Sequence, residues 1–343
     1  MTTGKRMWRR EGTGPDNFVY IGGNGQEVRT ESALRRIRKL AIPPGWRDVR
    51  IDPQPSAKIQ AVGIDAAGRK QYRYNSDFVS LRARRKFRRM LPFARSLPLL
   101  RAVTNKHLRS GGLSQEQVLA TVVRLMYRAF FRIGSERYAV KNKTFGIATL
   151  EKRHLTISGT SLIFQYVGKK QVHQRRVVAD TPLVEIVEQL LELPGDRLFR
   201  YRTRTGELRD VTAGDVNAYL QSVLGARYTS KDIRTWGGTV RAATILADLG
   251  VAESRREAEK NIGLVCKLVS TELGNTPAIC RKAYIHPAVL EKYLAGETIE
   301  RVMRKTLRPV EARAPVELYP EEAALMRMLD PREPSPSRRK QKD

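Results

Sequence analysis

Along SQEQVLATVVRLMYRAFFRIG (114–134), apolar residues recur at Val118, Val122, Leu125 and Met126 on one helical face. Ser114 and Gln117 carry capping-box spacing, so the pattern predicts a helix running to Arg132 and Gly134. A β-meander is expected next, in FGIATL (145–150), HLTISG (154–159), SLIFQYVG (161–168) and QVHQRRVV (171–178), with SGTS and GKKQ as tight turns. The pattern then returns to helical spacing through PLVEIVEQLLEL, AGDVNAYLQSVL, SKDIRTWGGTVRAATILADLG and SRREAEKNIGLVCKLVSTELG. Ser254 with Glu257 forms a second capping box there, and Gly250 and Gly274 stand at C-cap positions.

The first 80 residues alternate differently. NFVYI (17–21), DVRI (48–51), KIQAVGID (58–65) and KQYRY (70–74) are β-branched or aromatic, separated by the turn formers GGNG and DAAG. Between them ESALRRIRKL (31–40) sets Leu34, Ile37 and Leu40 at helical spacing before IPPGW stops the helix. Residues 78–91, FVSLRARRKFRRML, read as a basic helix, with a junction near Pro92 or Pro98. The last forty-odd residues lose periodicity: Pro309, Pro315, Pro320, Pro331, Pro334 and Pro336 lead to SRRKQKD, a tail at most locally helical near EEAALMRML. The expected class is α+β. A small β-rich N-terminal domain (1–80) and a basic helical linker (81–98) precede a mainly helical domain with a β-meander (99–298) and a partly disordered, Pro-rich basic tail (299–343).

Charge changes the picture more than composition does. The chain carries 64 Lys and Arg against 35 Asp and Glu, a formal charge of +29, and residues 1–90 hold 21 against 8. A polyanion is the expected partner. Nucleic acid fits better than membrane, because no apolar run approaches the roughly 20 residues of a spanning helix and the cations are spread over the whole chain. The N-terminus, MTTGKRMWRREG, is followed by no apolar region, so no signal peptide is read. Cys266 and Cys280 form neither a CxxC pair nor a His cluster and suit reduced, buried residues of a cytoplasmic protein. No phosphate loop of the G-x-x-x-x-G-K-[ST] type occurs. His107, His154, His173 and His286 are scattered without metal-ligand spacing, so metal-free and ATP-free chemistry with no cofactor is expected. A non-catalytic architectural DNA-binding protein would also satisfy the charge.

The stretch LGNTPAICRKAYIHP places Tyr284 after Arg281 and Lys282. A tyrosine hydroxyl, with a pKa near 10, is a poor nucleophile unless cations stabilise its anion and the charge of its target. Four segments offer such groups: FFRIGSERY with Arg132, YVGKKQV with Lys169, YTSKDIRTWGGT with Arg234, and LGNT with Asn275. Together they resemble the small type IB DNA topoisomerases of the poxvirus and bacterial kind, from IPPGW and GRKQYRY in the first domain to RKAYIHP near the end. Five motifs occur in the family order, and Asn275 and Tyr284 stand nine residues apart, as in the family.

The resemblance implies the type IB catalytic fold. It implies ATP- and metal-independent relaxation of supercoiled duplex DNA through a 3′-phosphotyrosyl intermediate on Tyr284. Arg132 and Arg234 would hold the non-bridging oxygens. Lys169 would protonate the departing 5′-oxygen, aided by Arg132, and Asn275, a position held by His or Asn in the family, would donate to a phosphate oxygen. Gln71, Tyr72 and Tyr74 match first-domain DNA contacts, and Arg137, Tyr138 and Lys231 match contacts near the active site. A C-shaped clamp around duplex DNA is implied, acting as a monomer without an obligatory protein partner, in the cytoplasm at the nucleoid. The nearest rival is a tyrosine recombinase or integrase. Those usually carry H-x-x-R where this chain has Lys231 and Arg234, and a helical core-binding domain where this chain has strands.

Overall fold

In the computed structural model the described residues are 7–12, 14, 17–225, 228–299 and 317–330. The chain divides into two compact units, Met1–Lys86 and Phe87–Asp343. The class is α+β, an N-terminal antiparallel sheet followed by a mainly helical unit.

The first unit holds β1 (Trp8–Glu11), β2 (Val19–Ile21), α1 (Glu31–Lys39), β3 (Arg47–Ile51), β4 (Ile59–Ile64) and β5 (Lys70–Tyr74). The sheet order is β2-β1-β3-β4-β5, antiparallel throughout. Its core is small: Ile37 from α1 packs with Val49, Ile51 and Ala61, edged by Trp8, Tyr20 and Trp46. At the β4–β5 turn the Asp65 carboxylate accepts from the backbone N–H groups of Ala67 and Arg69 and from the Gln71 side chain at 2.8 Å. Strand β1 escapes the sequence pattern because an arginine fills one of its half-buried positions. Arg10 donates to the carbonyls of Pro43 at 3.2 Å and Pro44 at 3.0 Å and lies over the Phe18 ring, so a cation does the packing expected of an apolar residue.

Helix α2 (Ser76–Arg88) is followed by α3 (Met90–His107), which runs through both Pro92 and Pro98. The second unit continues with α4 (Gln115–Ala129), α5 (Glu136–Asn142), β6 (Leu155–Ser158), β7 (Ser161–Gly168), β8 (Val172–Ala179) and α6 (Thr181–Glu192). Then come β9 (Arg200–Arg202), β10 (Leu208–Asp210), α7 (Ala213–Leu224), α8 (Ser230–Leu249), α9 (Arg255–Leu273), α10 (Pro277–Ala283), α11 (Pro287–Leu294) and α12 (Pro320–Leu329). Helix α4 is the hub of the core, with Val118, Val122, Leu125 and Met126 fully buried. Ser114 caps it by accepting from the Gln117 N–H, while the Gln117 side chain satisfies the Leu113 N–H and the Leu108 carbonyl.

Two local expectations need correction. Helix α4 stops at Ala129 and does not reach Arg132 or Gly134. Phe130 takes a left-handed conformation, φ 54°, and the chain leaves the helix as irregular backbone. FGIATL forms no strand; Ile147–Thr149 is a 3₁₀ turn whose Ile147 and Ala148 N–H groups, both at 2.8 Å, satisfy the carbonyls of Arg132 and Ile133. An apolar run of this length is buried either way, and burial alone does not select the backbone. The other three meander segments form the antiparallel sheet β6-β7-β8. Ser254, Gly250 and Gly274 cap their helices as expected, Gly274 in the left-handed region at φ 63°.

Most of the Pro-rich tail lies outside the described residues. Within it, EEAALMRML belongs to α12, which packs into the second unit's core through Leu325 and Met326. Arg101 of α3, 2% exposed, donates to both carboxylate oxygens of Glu322, 6% exposed, at 2.9 and 2.8 Å; the Trp236 indole N–H of α8 donates to the same carboxylate at 3.0 Å. Removing one partner leaves the other charge buried without a counter-ion. Glu322→Ala is therefore expected to destabilise by about 3–5 kcal/mol. In a thermal melt this should appear as a loss of about 10 °C for a unit of this size, and an unchanged melt would refute the pairing as a structural bond.

Candidate active site

The site is built where α4, α8 and α9 end or begin beside α10. Because Phe130 turns left-handed and ends α4, Arg132 sits on the loop beyond it, and both its terminal nitrogens donate to the Gly274 carbonyl at 3.0 and 2.9 Å. Arg234, on the second turn of α8 and 4% exposed, donates to the Leu273 carbonyl at 2.8 Å and to the Phe130 carbonyl. Two arginines thus hold the C-terminal end of α9, where helix carbonyls are unsatisfied and cations are favoured. Burial lowers the proton affinity of both; that of Arg234 falls to about 10, with the adjacent Tyr284 opposing the fall, so the group stays charged at neutral pH.

Tyr284, half-buried, follows the last residue of α10. The Arg234 guanidinium carbon lies 5.5 Å from the centroid of its ring, close enough for the two groups to interact electrostatically. The backbone of Tyr284 is anchored to α8, whose Thr239 hydroxyl donates to the Tyr284 carbonyl at 3.0 Å. This approach requires the glycines of TWGGT. A Cβ at Gly238 would stand 3.1 Å from the Tyr284 carbonyl oxygen, and one at Gly237 would enter the Phe130 ring. The sequence reading took this motif for its arginine and overlooked the glycines that create the space.

Asn275 lies one residue beyond Gly274, and both polar atoms of its side chain are buried without a hydrogen-bond partner. A buried amide with neither donor nor acceptor satisfied costs stability, which fits a group reserved for a ligand. Lys169 stands exposed in the β7–β8 turn, next to Gly168, where Lys170 and Gln171 take positive φ and Gln171 donates to the Asn142 carbonyl at the end of α5 at 2.9 Å. On α5, Arg137 and Tyr138 are exposed, as is Lys231 in the first turn of α8. In the first unit, β5 presents exposed Tyr72 and Tyr74 stacked at 6.0 Å, with Tyr74 also stacked on Phe78, and Gln71 half-buried against Asp65.

Arg132, Arg234, Asn275 and Tyr284 are therefore gathered around the end of α9, and Lys169 projects from a neighbouring turn. A cavity of about 890 Å³ lies elsewhere, between α5 and the β6–β8 sheet, and is lined by none of these five side chains. Among the described residues no three His, Cys, Asp or Glu side chains are grouped to hold a metal. Cys266 and Cys280 are free and buried, and burial pushes the Cys280 thiol up to about 12, which removes it as a nucleophile at neutral pH. No helix among the described residues is long and apolar enough to cross a membrane.

Residues 75–309, more than half of the chain, match the family described as the catalytic core of eukaryotic DNA topoisomerase I. The chain belongs to the type IB DNA topoisomerases. Residues 17–65 match the N-terminal domain of bacterial DNA topoisomerase IB. The DNA topoisomerase 1B of Acanthamoeba polyphaga mimivirus is 31% identical over 291 residues, which cover 83% of this chain and 86% of that protein. The DNA topoisomerase 1B of Vaccinia virus (strain Copenhagen) is 24% identical, covering 80% of this chain and 86% of its own length. For the DNA topoisomerase 1 of Rabbit fibroma virus (strain Kasza) the figures are 24%, 76% and 82%. As a type IB topoisomerase the chain is an isomerase that relaxes DNA.

Proposed function

We infer that this type IB topoisomerase relaxes supercoiled duplex DNA with Tyr284 as nucleophile, without ATP or a divalent metal. The observation that carries the reading is the convergence of Arg132, Arg234 and Asn275, whose side-chain amide is buried without a partner, on the end of α9 beside the Tyr284 ring. The Tyr284 oxygen attacks a backbone phosphorus, the bond to the 5′-oxygen breaks, and the tyrosyl proton passes to solvent water as the ester forms. Arg132 and Arg234 take up the charge on the non-bridging oxygens, a task suited to a planar guanidinium that stays protonated. The Asn275 amide donates to one of those oxygens. Lys169, aided by Arg132, delivers a proton to the departing 5′-oxygen. The phosphotyrosyl ester retains the energy of the broken bond, so the 5′-hydroxyl can reverse the step after the free strand has swivelled, with no cofactor consumed.

Gln71, Tyr72 and Tyr74 are proposed to contact duplex DNA from the first unit, and Arg137, Tyr138 and Lys231 from the second. All except Gln71 are exposed, and an exposed stacked tyrosine pair on an edge strand serves contact better than core packing. We read the enzyme as a monomer acting on the cytoplasmic nucleoid, since this catalytic set needs nothing from a second chain. Incubation with negatively supercoiled plasmid in EDTA without ATP, at fewer enzyme molecules than plasmids, should yield fully relaxed topoisomers. Plasmid that keeps all its supercoils and shows only a mobility shift would instead mark an architectural DNA-binding protein.

A further inference from the structure

Three guanidinium groups, not two, line one small pocket of the site. Arg176 borders it with Arg132, Arg234, Tyr166 and Gln174, and no acidic side chain does. Strand β8 explains the placement: Gln174, Arg176 and Val178 share its inward face by the two-residue period of a strand. The terminal Nη2 of Arg176 donates to the Gln174 Oε1 at 2.6 Å, and Tyr166 of β7 lines the same pocket, its hydroxyl within electrostatic reach of the guanidinium. Its Nε–H is buried and has no acceptor. The charge of Arg176 is felt by both other arginines, adding to burial in lowering their proton affinity.

Elsewhere in this unit buried arginines are neutralised by acids, Arg101 by Glu322 and Arg124 by Asp180. The pocket of Arg132, Arg176 and Arg234 departs from that practice. Like charges crowded without a counter-ion repel, and such a cluster is tolerated where the anion arrives with a ligand. The neutral Asn275 adds no charge of its own.

We propose that Arg176 is the third phosphate-directed cation of the site, supplying the positive charge that Asn275 does not. Gln174 is its positioning residue, its amide oxygen fixing the guanidinium. The assignment rests on the reading of Tyr284 as the nucleophile that cleaves a phosphodiester.

The test is single-turnover cleavage of a defined duplex at fixed salt. Arg176→Gln should slow cleavage on the order of 10- to 100-fold, with DNA affinity altered by no more than about threefold and an unchanged melt. Arg176→Lys, which keeps the charge, should recover most of the rate, and Asn275→His in the Arg176→Gln background should restore part of it. On a duplex carrying a neutral methylphosphonate at the scissile position, Arg176→Gln and the parent should differ by less than about threefold, because the charge to be offset is gone. Equal slowing on both substrates, or loss of the melt in Arg176→Gln and Arg176→Lys alike, would assign Arg176 a structural role and overturn the proposal. An active parent with an undiminished Arg176→Gln overturns it alone; a parent that forms no covalent adduct overturns the cleavage reading and this inference together.

Discussion

Tyr284→Phe is expected to bind duplex DNA within about twofold of the parent and to form no SDS-stable protein–DNA adduct. The substitution removes one oxygen and leaves the ring in place. Arg234 keeps its bonds to the carbonyls of Leu273 and Phe130, and the backbone of residue 284 keeps its bond from Thr239, so the site should hold its shape. The measurement is gel separation of labelled duplex after denaturation, beside a binding titration on the same preparation. A persistent adduct would point to another tyrosine, and the structure offers poor substitutes. Tyr293 is 2% exposed, donating to the Gly250 carbonyl and accepting from Asn261, and the Tyr319 hydroxyl is buried.

Lys169→Ala should slow cleavage by about 10²- to 10⁴-fold, the range of a positioned general acid, with little effect on the fold. The side chain is exposed, so its removal opens no cavity. Loss of one phosphate-directed cation should flatten the salt dependence of binding by about one unit of slope at most. The chemistry supplies a sharper control. With sulfur in place of the bridging 5′-oxygen the leaving group is a stable thiolate and needs no proton, so parent and Lys169→Ala should cleave that duplex at similar rates. If the mutant stays equally slow on the sulfur substrate, Lys169 acts on something other than the leaving group.

Elements whose own residues specify them were legible in the sequence. The strands β2 to β5 show β-branched and aromatic runs between turn formers, α4 shows its apolar face and its Ser114 cap, and Gly250 and Gly274 mark the ends of α8 and α9. The five motif residues could be named only from their joint occurrence in the order of the type IB family, since none is distinctive in its own local setting. What the sequence concealed depends on partners far along the chain. Strand β1 hides behind Arg10, which satisfies carbonyls more than thirty residues away. Nothing near Phe130 marks a bulky left-handed residue; that turn is accommodated by the missing side chain of Gly237 and bonded by Arg234. Arg176 and Tyr166 look like ordinary strand residues until the β7–β8 register turns both toward Arg132 and Arg234. A sequence reading that asked which inward strand positions carry cations could have flagged Arg176.

The docking of α12 also orders events in time. Arg101 is made early, and its counter-ion Glu322 follows 221 residues later, after the proposed nucleophile Tyr284. A chain still being synthesised can therefore contain Tyr284 and the arginines around it while the guanidinium beneath Trp236 has no carboxylate to meet. Completion of the second unit's core waits on a segment made after Tyr284. A product terminated between Tyr284 and Glu322 keeps the proposed nucleophile but loses the carboxylate that pairs with Arg101, and the melting shift of Glu322→Ala measures how much stability that pairing adds.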